Sequence, residues 1–376
     1  MFSEKLEILE REHLLRDIKD RGSAQGHRIR IREREYVNFA SNDYLGFADN
    51  PHIRERVTNA IANYGFGSGA SRLLSGGCTL HAGLEEKVAR FKGAESALLF
   101  NSGYALNTGV LPSVADAESA IFSDELNHAS VIDGCRQSRA KLHIYRHKDL
   151  SHLKELMGKE PSGRRIVVTD TVFSMDGDLA PLTGIHKICR ETGALLYIDD
   201  AHGTGVLGKG SGALSHFQIK PEAWIIQMGT FSKALGSYGA FVAGSSDIIL
   251  WLLNTARSFM FSTALPACIA AGSLAALELV ENRPELVKTL WKNRERLVSG
   301  LSGLGFDTMC SQTPIIPIKP GSVEDVLRIS ENLFRQGIYA PAIRPPTVKE
   351  PRIRITVTAG HTDEDIERLI EALRRV

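Results

Sequence analysis

The stretch Gly229-Thr230-Phe231-Ser232-Lys233-Ala234-Leu235-Gly236 places a lysine just after a buried strand. The preceding run, Ala223-Trp224-Ile225-Ile226-Gln227-Met228, is apolar enough to predict a short strand inside a sheet. Two interpretations of Lys233 are open. It is either a surface cation in a loop, the usual place for a lysine, or an amine that partial burial tunes for attack on a carbonyl group.

A second stretch, Ala194-Leu195-Leu196-Tyr197-Ile198-Asp199-Asp200-Ala201-His202-Gly203-Thr204-Gly205, favours the reactive amine. An apolar strand ends there in an acid, and a histidine follows three residues later. Pyridoxal phosphate (PLP) requires this combination, because a carboxylate paired with its pyridine nitrogen keeps the ring an electron acceptor, and a histidine can hydrogen-bond its phenolic oxygen. A plain Asp turn would leave Lys233 unexplained. We therefore predict a PLP site with Asp199, His202 and Lys233 at the carboxyl ends of neighbouring strands.

Composition narrows the class of protein and its setting. The chain has 376 residues, 43% of them hydrophobic, which suffices for two domains. A net charge of +1 gives no reason to expect nucleic acid or a membrane as partner. Residues 1–22 are studded with charges, unlike a signal peptide, and the five cysteines are scattered without a C-x-x-C pair. We expect a cytoplasmic protein without a metal site.

The middle of the chain alternates helical patterns with short apolar runs, which predicts an α/β fold with a mostly parallel sheet. Seven runs are candidate strands: 96–100, 120–123, 141–145, 165–169, 194–198, 224–228 and 239–243. A helix over residues 2–20 and a hairpin over 28–39 are predicted before them. The predicted division is an N-terminal segment 1–45, a large PLP-binding domain 46–275 and a small C-terminal α+β domain 276–376.

Two glycine-rich segments suggest phosphate binding, with different strength. Gly203-Thr204-Gly205-Val206-Leu207-Gly208 has the letters of a dinucleotide fingerprint, but Lys209-Gly210-Ser211-Gly212 follows and cannot begin an amphipathic helix. This disfavours a nicotinamide-dependent oxidoreductase. Asn101-Ser102-Gly103-Tyr104-Ala105 lies between a predicted strand and a predicted helix, where N–H groups could hold a phosphate and Thr230 could add a hydroxyl. A plain strand-to-helix turn is the alternative.

Several motifs together resemble the α-oxoamine synthases, which are fold-type-I PLP enzymes that condense an amino acid with an acyl thioester and release carbon dioxide. The resemblance runs nearly end to end, in the family's order and spacing. The motifs that carry it are Ser41-Asn42-Asp43-Tyr44-Leu45-Gly46, His128-Ala129-Ser130, Val172-Phe173-Ser174-Met175-Asp176-Gly177-Asp178, Asp199 to Gly205 and Thr230-Phe231-Ser232-Lys233.

The resemblance implies a role for each matched residue. Lys233 would bind the cofactor and move the substrate's α-proton, while Asp199 would pair with the pyridine nitrogen. His202 would contact the phenolic oxygen, and His128 would stack on the ring and touch the substrate. The other cofactor contacts implied are Gly103, Tyr104, Ser174, Thr230, Ser262 and Thr263, and the other substrate contacts are Arg16, Thr347 and Arg354. Ser262 and Thr263 would reach the phosphate of the neighbouring subunit, which implies a homodimer with its active site at the interface.

Within the family, Ala342-Ile343-Arg344-Pro345-Pro346-Thr347-Val348 favours a member that joins L-alanine to a pimeloyl thioester in biotin biosynthesis. The acyl carrier, coenzyme A or acyl carrier protein, is left open. A sister activity on glycine and acetyl-CoA is the nearest alternative, and a catalytically silent partner subunit is another, which the presence of Lys233 disfavours. For Arg352 and Arg354, which alternate on one predicted strand, a solvated face is an equally good explanation.

Overall fold

The computed structural model describes residues 2–160 and 163–375. The chain forms two compact units. We call Asn50–Phe173 with Leu179–Val287 the sheet unit. The terminal unit contains the chain up to Asp49, the short segment Ser174–Asp178 and the chain from Lys288 onward.

Helices and strands alternate along most of the chain. The strands are β1 (Arg28–Ile31), β2 (Arg34–Asn38), β3 (Ser96–Phe100), β4 (Ala120–Asp124), β5 (Lys141–Tyr145), β6 (Arg165–Asp170), β7 (Leu195–Asp199), β8 (Ile225–Thr230), β9 (Ala240–Gly244), β10 (Ile315–Ile318), β11 (Ile338–Tyr339), β12 (Ala342–Ile343) and β13 (Arg352–Thr356). The helices are α1 (Phe2–Arg11), α2 (Pro51–Tyr64), α3 (Thr79–Lys92), α4 (Gly103–Val114), α5 (Ala129–Gln137), α6 (Leu150–Gly158), α7 (Leu182–Thr192), α8 (Ala213–His216), α9 (Ser246–Thr255), α10 (Arg257–Met260), α11 (Ala267–Asn282), α12 (Pro284–Gly303), α13 (Val323–Arg335) and α14 (Asp363–Arg374). Within the described ranges, none of these helices is long and apolar enough to cross a membrane.

The sheet unit is built on a seven-stranded sheet in the order β3-β9-β8-β7-β6-β4-β5. Strand β9 runs antiparallel to both of its neighbours, and the remaining pairs are parallel. The seven strands that the sequence predicts all form, with ends within two residues of the prediction. The predicted fold class, α/β with a mostly parallel seven-stranded sheet, is therefore confirmed.

The core of the sheet unit explains the apolar runs in its strands. Residues of α4, α5, α9 and α10 pack with strand residues in one cluster, which contains Val110, Val131, Leu252, Phe259 and Ile226. Every residue of β4, β8 and β9 is buried. A strand that is covered on both faces has no solvent-facing side chains, so its sequence is continuously apolar instead of alternating between apolar and polar residues. This packing fixes the strand ends, from which the candidate site residues project.

The terminal unit contains two small sheets, β1-β2-β11 and β10-β13-β12. Strand β2 pairs antiparallel with β1 and parallel with β11, with Val37 opposite Ile338. Helix α13 buries Val326, Ile329 and Leu333 on one face. Because β2 needs β11 as its partner, the N-terminal segment groups with the C-terminal one, which differs from the predicted separation of 1–45 from 276–376.

Helix α1 ends at Arg11, well before the predicted end at Asp20, so that prediction is wrong. His13 adopts a φ of 57°, in the left-handed region that ends a helix. The Arg344 guanidinium then donates hydrogen bonds to two backbone carbonyls of the following turn, from Nε to His13 at 2.6 Å and from Nη2 to Leu15 at 2.7 Å. Since α1 buries none of its side chains, no packing favours its continuation.

Candidate active site

Three adjacent parallel strands of the sheet unit end in polar residues at the same edge. β6 ends at Asp170, β7 at Asp199 and β8 at Thr230. The register places Asp170 beside Asp199, and Asp199 beside Met228. Lys233 follows β8 by three residues and is half-buried. The structure thus brings the predicted acid and the loop that carries the lysine to neighbouring strand ends, where ligands of parallel sheets bind.

Both oxygens of the buried Asp199 carboxylate are held by N–H donors. Asn107 Nδ2 donates to Oδ2 at 2.8 Å, and the Ala201 backbone N–H donates to Oδ1 at 3.0 Å. Donors on both oxygens fix the plane of a carboxylate and leave its other lone pairs open to a further donor. A protonated ring nitrogen would be such a donor.

The charges of Asp199 and Lys233 shift the pKa values of both His128 and Asp170. Loss of surrounding water lowers the pKa of His128, the Asp199 carboxylate raises it in part and the Lys233 ammonium lowers it further. Burial raises the pKa of Asp170 well above its usual range, and the nearby Asp199 adds to this, although the His128 N–H and Lys233 oppose it. These shared interactions place the four groups in one electrostatic cluster.

A buried carboxyl oxygen without a hydrogen-bond partner supports the fit of this cluster to PLP. Asp170 is buried and accepts the His128 backbone N–H at 3.0 Å through Oδ2, but its Oδ1 has no hydrogen-bond partner among the described residues. Buried carboxyl oxygens without a partner are costly and mark a place where a polar group belongs. Beside this carboxyl group, the same cluster contains an amine, a carboxylate and an imidazole, from Lys233, Asp199 and His128.

His202 lies buried in the tight turn that follows Asp200. The next residue must be small, because a Cβ on Gly203 would lie 2.1 Å from Asp200 Oδ1. The segment from Gly203 then forms turns and one turn of 3₁₀ helix, Gly208–Gly210. It does not begin an α-helix that could receive a pyrophosphate, so the structure argues against a dinucleotide site here.

The N-terminus of α4 has the geometry of a phosphate site. Ser102 caps the helix by accepting the Ala105 N–H at 3.1 Å. Gly103 and Tyr104 are in the first turn, so the helix offers no carbonyl to which their N–H groups could donate. A Cβ on Gly103 would lie 2.7 Å from Met228 Cε, so the turn runs close against β8. The Tyr104 hydroxyl itself donates to Asp133 and is not needed for this role.

The Thr230 hydroxyl, for which the sequence predicts a phosphate contact, has hydrogen-bond partners within the protein, and the phosphate contact stays a prediction. The hydroxyl donates to the Gly239 carbonyl at 2.8 Å, across the β8–β9 pair. Its oxygen also accepts the Ser232 N–H at 3.2 Å and lies 2.7 Å from Ser232 Oγ. The sequence prediction did not include Ser232 among the candidate site residues. It is exposed and lies between Thr230 and Lys233, so its hydroxyl is a further candidate at this edge.

Ser262 and Thr263 follow α10 on the surface of the sheet unit, half-buried and exposed respectively. The Thr263 backbone bridges Ser71, and its carbonyl accepts Asn101 Nδ2 at 2.8 Å. This segment is thus tied to the loop before α4. The contact of Ser262 and Thr263 with a neighbouring subunit's phosphate stays a prediction.

In the terminal unit, Arg354 is buried and hydrogen-bonded only to neutral groups. It donates to the Ser174 carbonyl at 2.6 Å, Thr356 Oγ1 at 2.9 Å and Asn42 Oδ1 at 3.1 Å, and it also hydrogen-bonds the Tyr44 side chain. No described carboxylate pairs with it. Arg352, in contrast, forms an ion pair with Asp176. Since every residue of β13 is buried, the solvated-face interpretation of these two arginines is wrong.

Arg16 and Thr347, both exposed, meet in the terminal unit although they are far apart in sequence. Arg16 Nη2 lies 3.3 Å from Thr347 Oγ1 and 3.4 Å from the Pro345 carbonyl. The predicted site residues therefore form two groups. The sheet unit carries Gly103, Tyr104, His128, Asp199, His202, Thr230, Lys233, Ser262 and Thr263, and the terminal unit carries Arg16, Ser174, Thr347 and Arg354.

Known proteins with similar sequences identify the class of this protein. The family Aminotransferase class I and II matches residues 34–373. The chain therefore belongs to the aminotransferase class I and II family, and its cofactor is PLP, as the sequence predicts. A curated relative, the 8-amino-7-oxononanoate synthase of Geobacter sulfurreducens, is 45% identical over 379 residues, which cover 99% of this chain and 96% of the relative.

Two solved structures agree with this assignment. The 8-amino-7-oxononanoate synthase of Francisella tularensis has a TM-score of 0.80 at 27% identity, covering 90% of this chain and 97% of that one. A serine palmitoyltransferase of S. paucimobilis with bound PLP has a TM-score of 0.93 at 24% identity, covering 100% and 96%. The second likeness concerns the fold, which is the fold-type-I transferase fold predicted from the sequence.

Proposed function

We propose that this chain condenses L-alanine with a pimeloyl thioester to give 8-amino-7-oxononanoate, carbon dioxide and the free carrier, a step of biotin biosynthesis. The observation that carries the proposal is that Asp199 and Lys233 lie at or just after the ends of the paired strands β7 and β8, in one electrostatic cluster with His128, in a chain of this family. Curated relatives of 42–46% identity over nearly the whole chain, each named 8-amino-7-oxononanoate synthase, support the choice of substrates.

Each of the clustered residues has a chemical task in this reaction. When bound, PLP supplies the electron sink that makes the α-hydrogen of an amino acid acidic. The Lys233 amine would hold the cofactor before the substrate binds and then take up the α-proton. The Asp199 carboxylate would hold a proton at the ring nitrogen. His128 would cover the ring face and His202 would bind the phenolic oxygen, while the N–H groups at the start of α4 would hold the phosphate.

Arg354 is the residue we propose for the amino-acid carboxylate. A buried guanidinium without an anionic partner is costly, and a substrate carboxylate would compensate its charge. A planar guanidinium suits a carboxylate because two of its N–H groups can donate to the two oxygens together. Arg16 and Thr347, which already contact each other, would complete the substrate side.

We also propose a homodimer in the cytoplasm. Large apolar side chains on the sheet unit are exposed near the segment that carries Ser262 and Thr263, and exposed apolar patches commonly mark interfaces. They are Phe66, Leu73, Leu74 and Phe261. The bridge between Ser71 and Thr263 brings two of these segments together. All five cysteines are free thiols, which agrees with a reducing compartment.

Replacement of Lys233 tests the assignment of the reactive amine. Lys233→Ala should abolish turnover and the visible absorbance of protein-bound cofactor, because the variant lacks the amine proposed to hold the cofactor. The matched control is Lys220→Ala, an exposed lysine of the same unit, which should keep both properties. Turnover and absorbance retained in purified, folded Lys233→Ala protein would refute the proposal.

A substrate panel tests the choice of reaction. Alanine and glycine are each combined with pimeloyl-CoA, pimeloyl-acyl carrier protein and acetyl-CoA, and release of the free thiol is followed. We expect the highest kcat/KM with alanine and a pimeloyl donor, and the two pimeloyl arms identify the carrier. Preference for glycine and acetyl-CoA would refute the substrates while leaving the PLP chemistry in place.

A further inference from the structure

We propose that Asn107 is a positioning residue that holds the Asp199 carboxylate and the His128 imidazole in one hydrogen-bonded network. This inference rests on the proposed function, which places Asp199 at the edge and His128 on the face of the cofactor ring. Asn107 lies in the middle of α4, on the otherwise apolar face that packs into the core, and is fully buried. A polar amide in such a place needs all its hydrogen bonds satisfied.

The contacts of Asn107 account for its whole amide group. Nδ2 donates to Asp199 Oδ2 and to Ser130 Oγ, both at 2.8 Å, and Oδ1 accepts the Tyr197 hydroxyl. The amide orientation follows from chemistry, because an ionised carboxylate only accepts hydrogen bonds. Burial raises the pKa of Tyr197 well above its usual range, so its hydroxyl remains a donor.

The second branch of the network reaches His128. Ser130 Oγ accepts from Asn107, so its own proton is directed to His128 Nδ1 at 2.7 Å. The Ser130 backbone N–H also points to Nδ1, at 3.2 Å. Two donors at Nδ1 make it an acceptor, and the proton of the neutral imidazole is then on Nε2. Asn107 thereby orients Asp199 directly and, through Ser130 Oγ, supports the His128 tautomer that the Ser130 N–H favours.

The network joins three elements that would otherwise place their groups independently. Asn107 comes from α4, Asp199 from the end of β7, and His128 with Ser130 from the start of α5. Loss of the Asn107 amide would leave Asp199 Oδ2 without its protein donor and Ser130 Oγ without its fixed proton direction. The carboxylate could then rotate away from the ring nitrogen, and His128 Nδ1 would keep only the Ser130 backbone N–H as a fixed donor.

The test compares Asn107→Leu, Asn107→Asp and Ser130→Ala holoenzymes with the natural protein. The control is Ser113→Ala on the same helix, whose hydroxyl donates only to the Gly109 carbonyl. Three quantities are measured: the ¹⁵N chemical shift of the pyridine nitrogen in ¹⁵N-labelled PLP, the Kd of PLP by equilibrium dialysis, and kcat against pH. The first two do not depend on turnover.

We expect Asn107→Leu to lower the protonated fraction of the ring nitrogen and to raise the Kd of PLP at least about tenfold, as loss of a hydrogen bond to a charged group does. Asn107→Asp should behave likewise at pH 8 and recover as the pH falls, because a protonated acid can again donate to Asp199. Ser130→Ala should change the pH profile of kcat and leave the nitrogen shift unchanged.

A nitrogen shift and Kd within twofold of the natural protein in both Asn107 variants would overturn the inference. If Asn107→Leu fails to fold, Asn107→Asp, which keeps the size and polarity of the side chain, decides alone. Failure of the proposed function looks different, because the natural protein itself would then fail to turn over alanine with a pimeloyl thioester, while the nitrogen shift and the Kd of its bound PLP could still be compared with those of the Asn107 variants.

Discussion

Replacement of Lys92 by methionine would remove one partner of a buried ion pair beside the candidate site. Lys92 Nζ lies 2.8 Å from Asp200 Oδ2, 2.8 Å from the Ser211 carbonyl and 3.3 Å from Thr204 Oγ1. The side chains of Lys92 and Asp200 are 1% and 0% exposed. Asp200 follows Asp199 directly, so the pair supports the strand end that carries the acid for the ring nitrogen.

The expected loss of stability follows from this burial. Removing one partner of a buried pair costs about 3–5 kcal/mol, because the remaining charge stays desolvated. Methionine fills nearly the same volume, so little of the cost would come from a cavity. The matched control is Lys87→Met on the same helix, whose pair with Glu281 is partly exposed, at 21% and 38%, and is worth at most about 1 kcal/mol.

The free energy of unfolding is measured by urea titration at pH 7.5 for five proteins: the natural protein, Lys92→Met, Lys87→Met, Asp200→Asn and the double variant Lys92→Met/Asp200→Asn. The double variant Lys92→Met/Asp200→Asn should be more stable than Lys92→Met alone, because the uncompensated charge is gone. Equal costs for Lys92→Met and Lys87→Met would refute the reasoning, and so would a double variant as unstable as the sum of its single changes.

Two further predictions concern the terminal unit. Burial lowers the pKa of His361 from 6.5 to about 4. The folded protein therefore binds this proton less readily, and about 3 kcal/mol of stability, present above pH 6.5, is lost as the pH falls through 4. His361→Asn should remove this pH dependence. The free energy of unfolding is measured at each pH for the variant and for the natural protein, and the difference between them should change between pH 6.5 and 4. A difference that stays constant with pH would contradict the prediction. Arg354→Lys should raise the KM for the amino acid at least about tenfold and leave the KM for the thioester unchanged, because an ammonium cannot serve three acceptors and a carboxylate together. Steady-state kinetics check this, and an equal rise in both KM values would contradict the assignment.

The sequence was informative wherever local chemistry decides the structure. Apolar runs bounded by glycine or acid became strands within two residues of their predicted ends, because full burial on both faces leaves no other pattern. Asp199 and Lys233 could be placed at one sheet edge from the sequence alone, since the carboxyl ends of parallel strands meet there. Asp199 is the last residue of β7, and Lys233 follows β8 by three residues.

Other features depend on partners far along the chain and could not be predicted. Helix α1 ends early beside Arg344, which lies 331 residues from His13 in sequence. Lys92 is the last residue of α3, a position where a lysine is usually solvated, and only the fold brings Asp200 to it. Asn107 gave no signal either, since a single amide in an apolar helix has no local pattern that identifies its partners.

The construction of the terminal unit from three separate stretches has a practical consequence for fragment studies. Expression of residues 50–287 alone would retain the five residues Ser174–Asp178 without the surroundings that order them. Truncation before Lys288 would deprive β2 of β11 and leave an open strand edge, which invites aggregation. Domain-by-domain work on this enzyme therefore requires that both chain ends be supplied together, for example by co-expression.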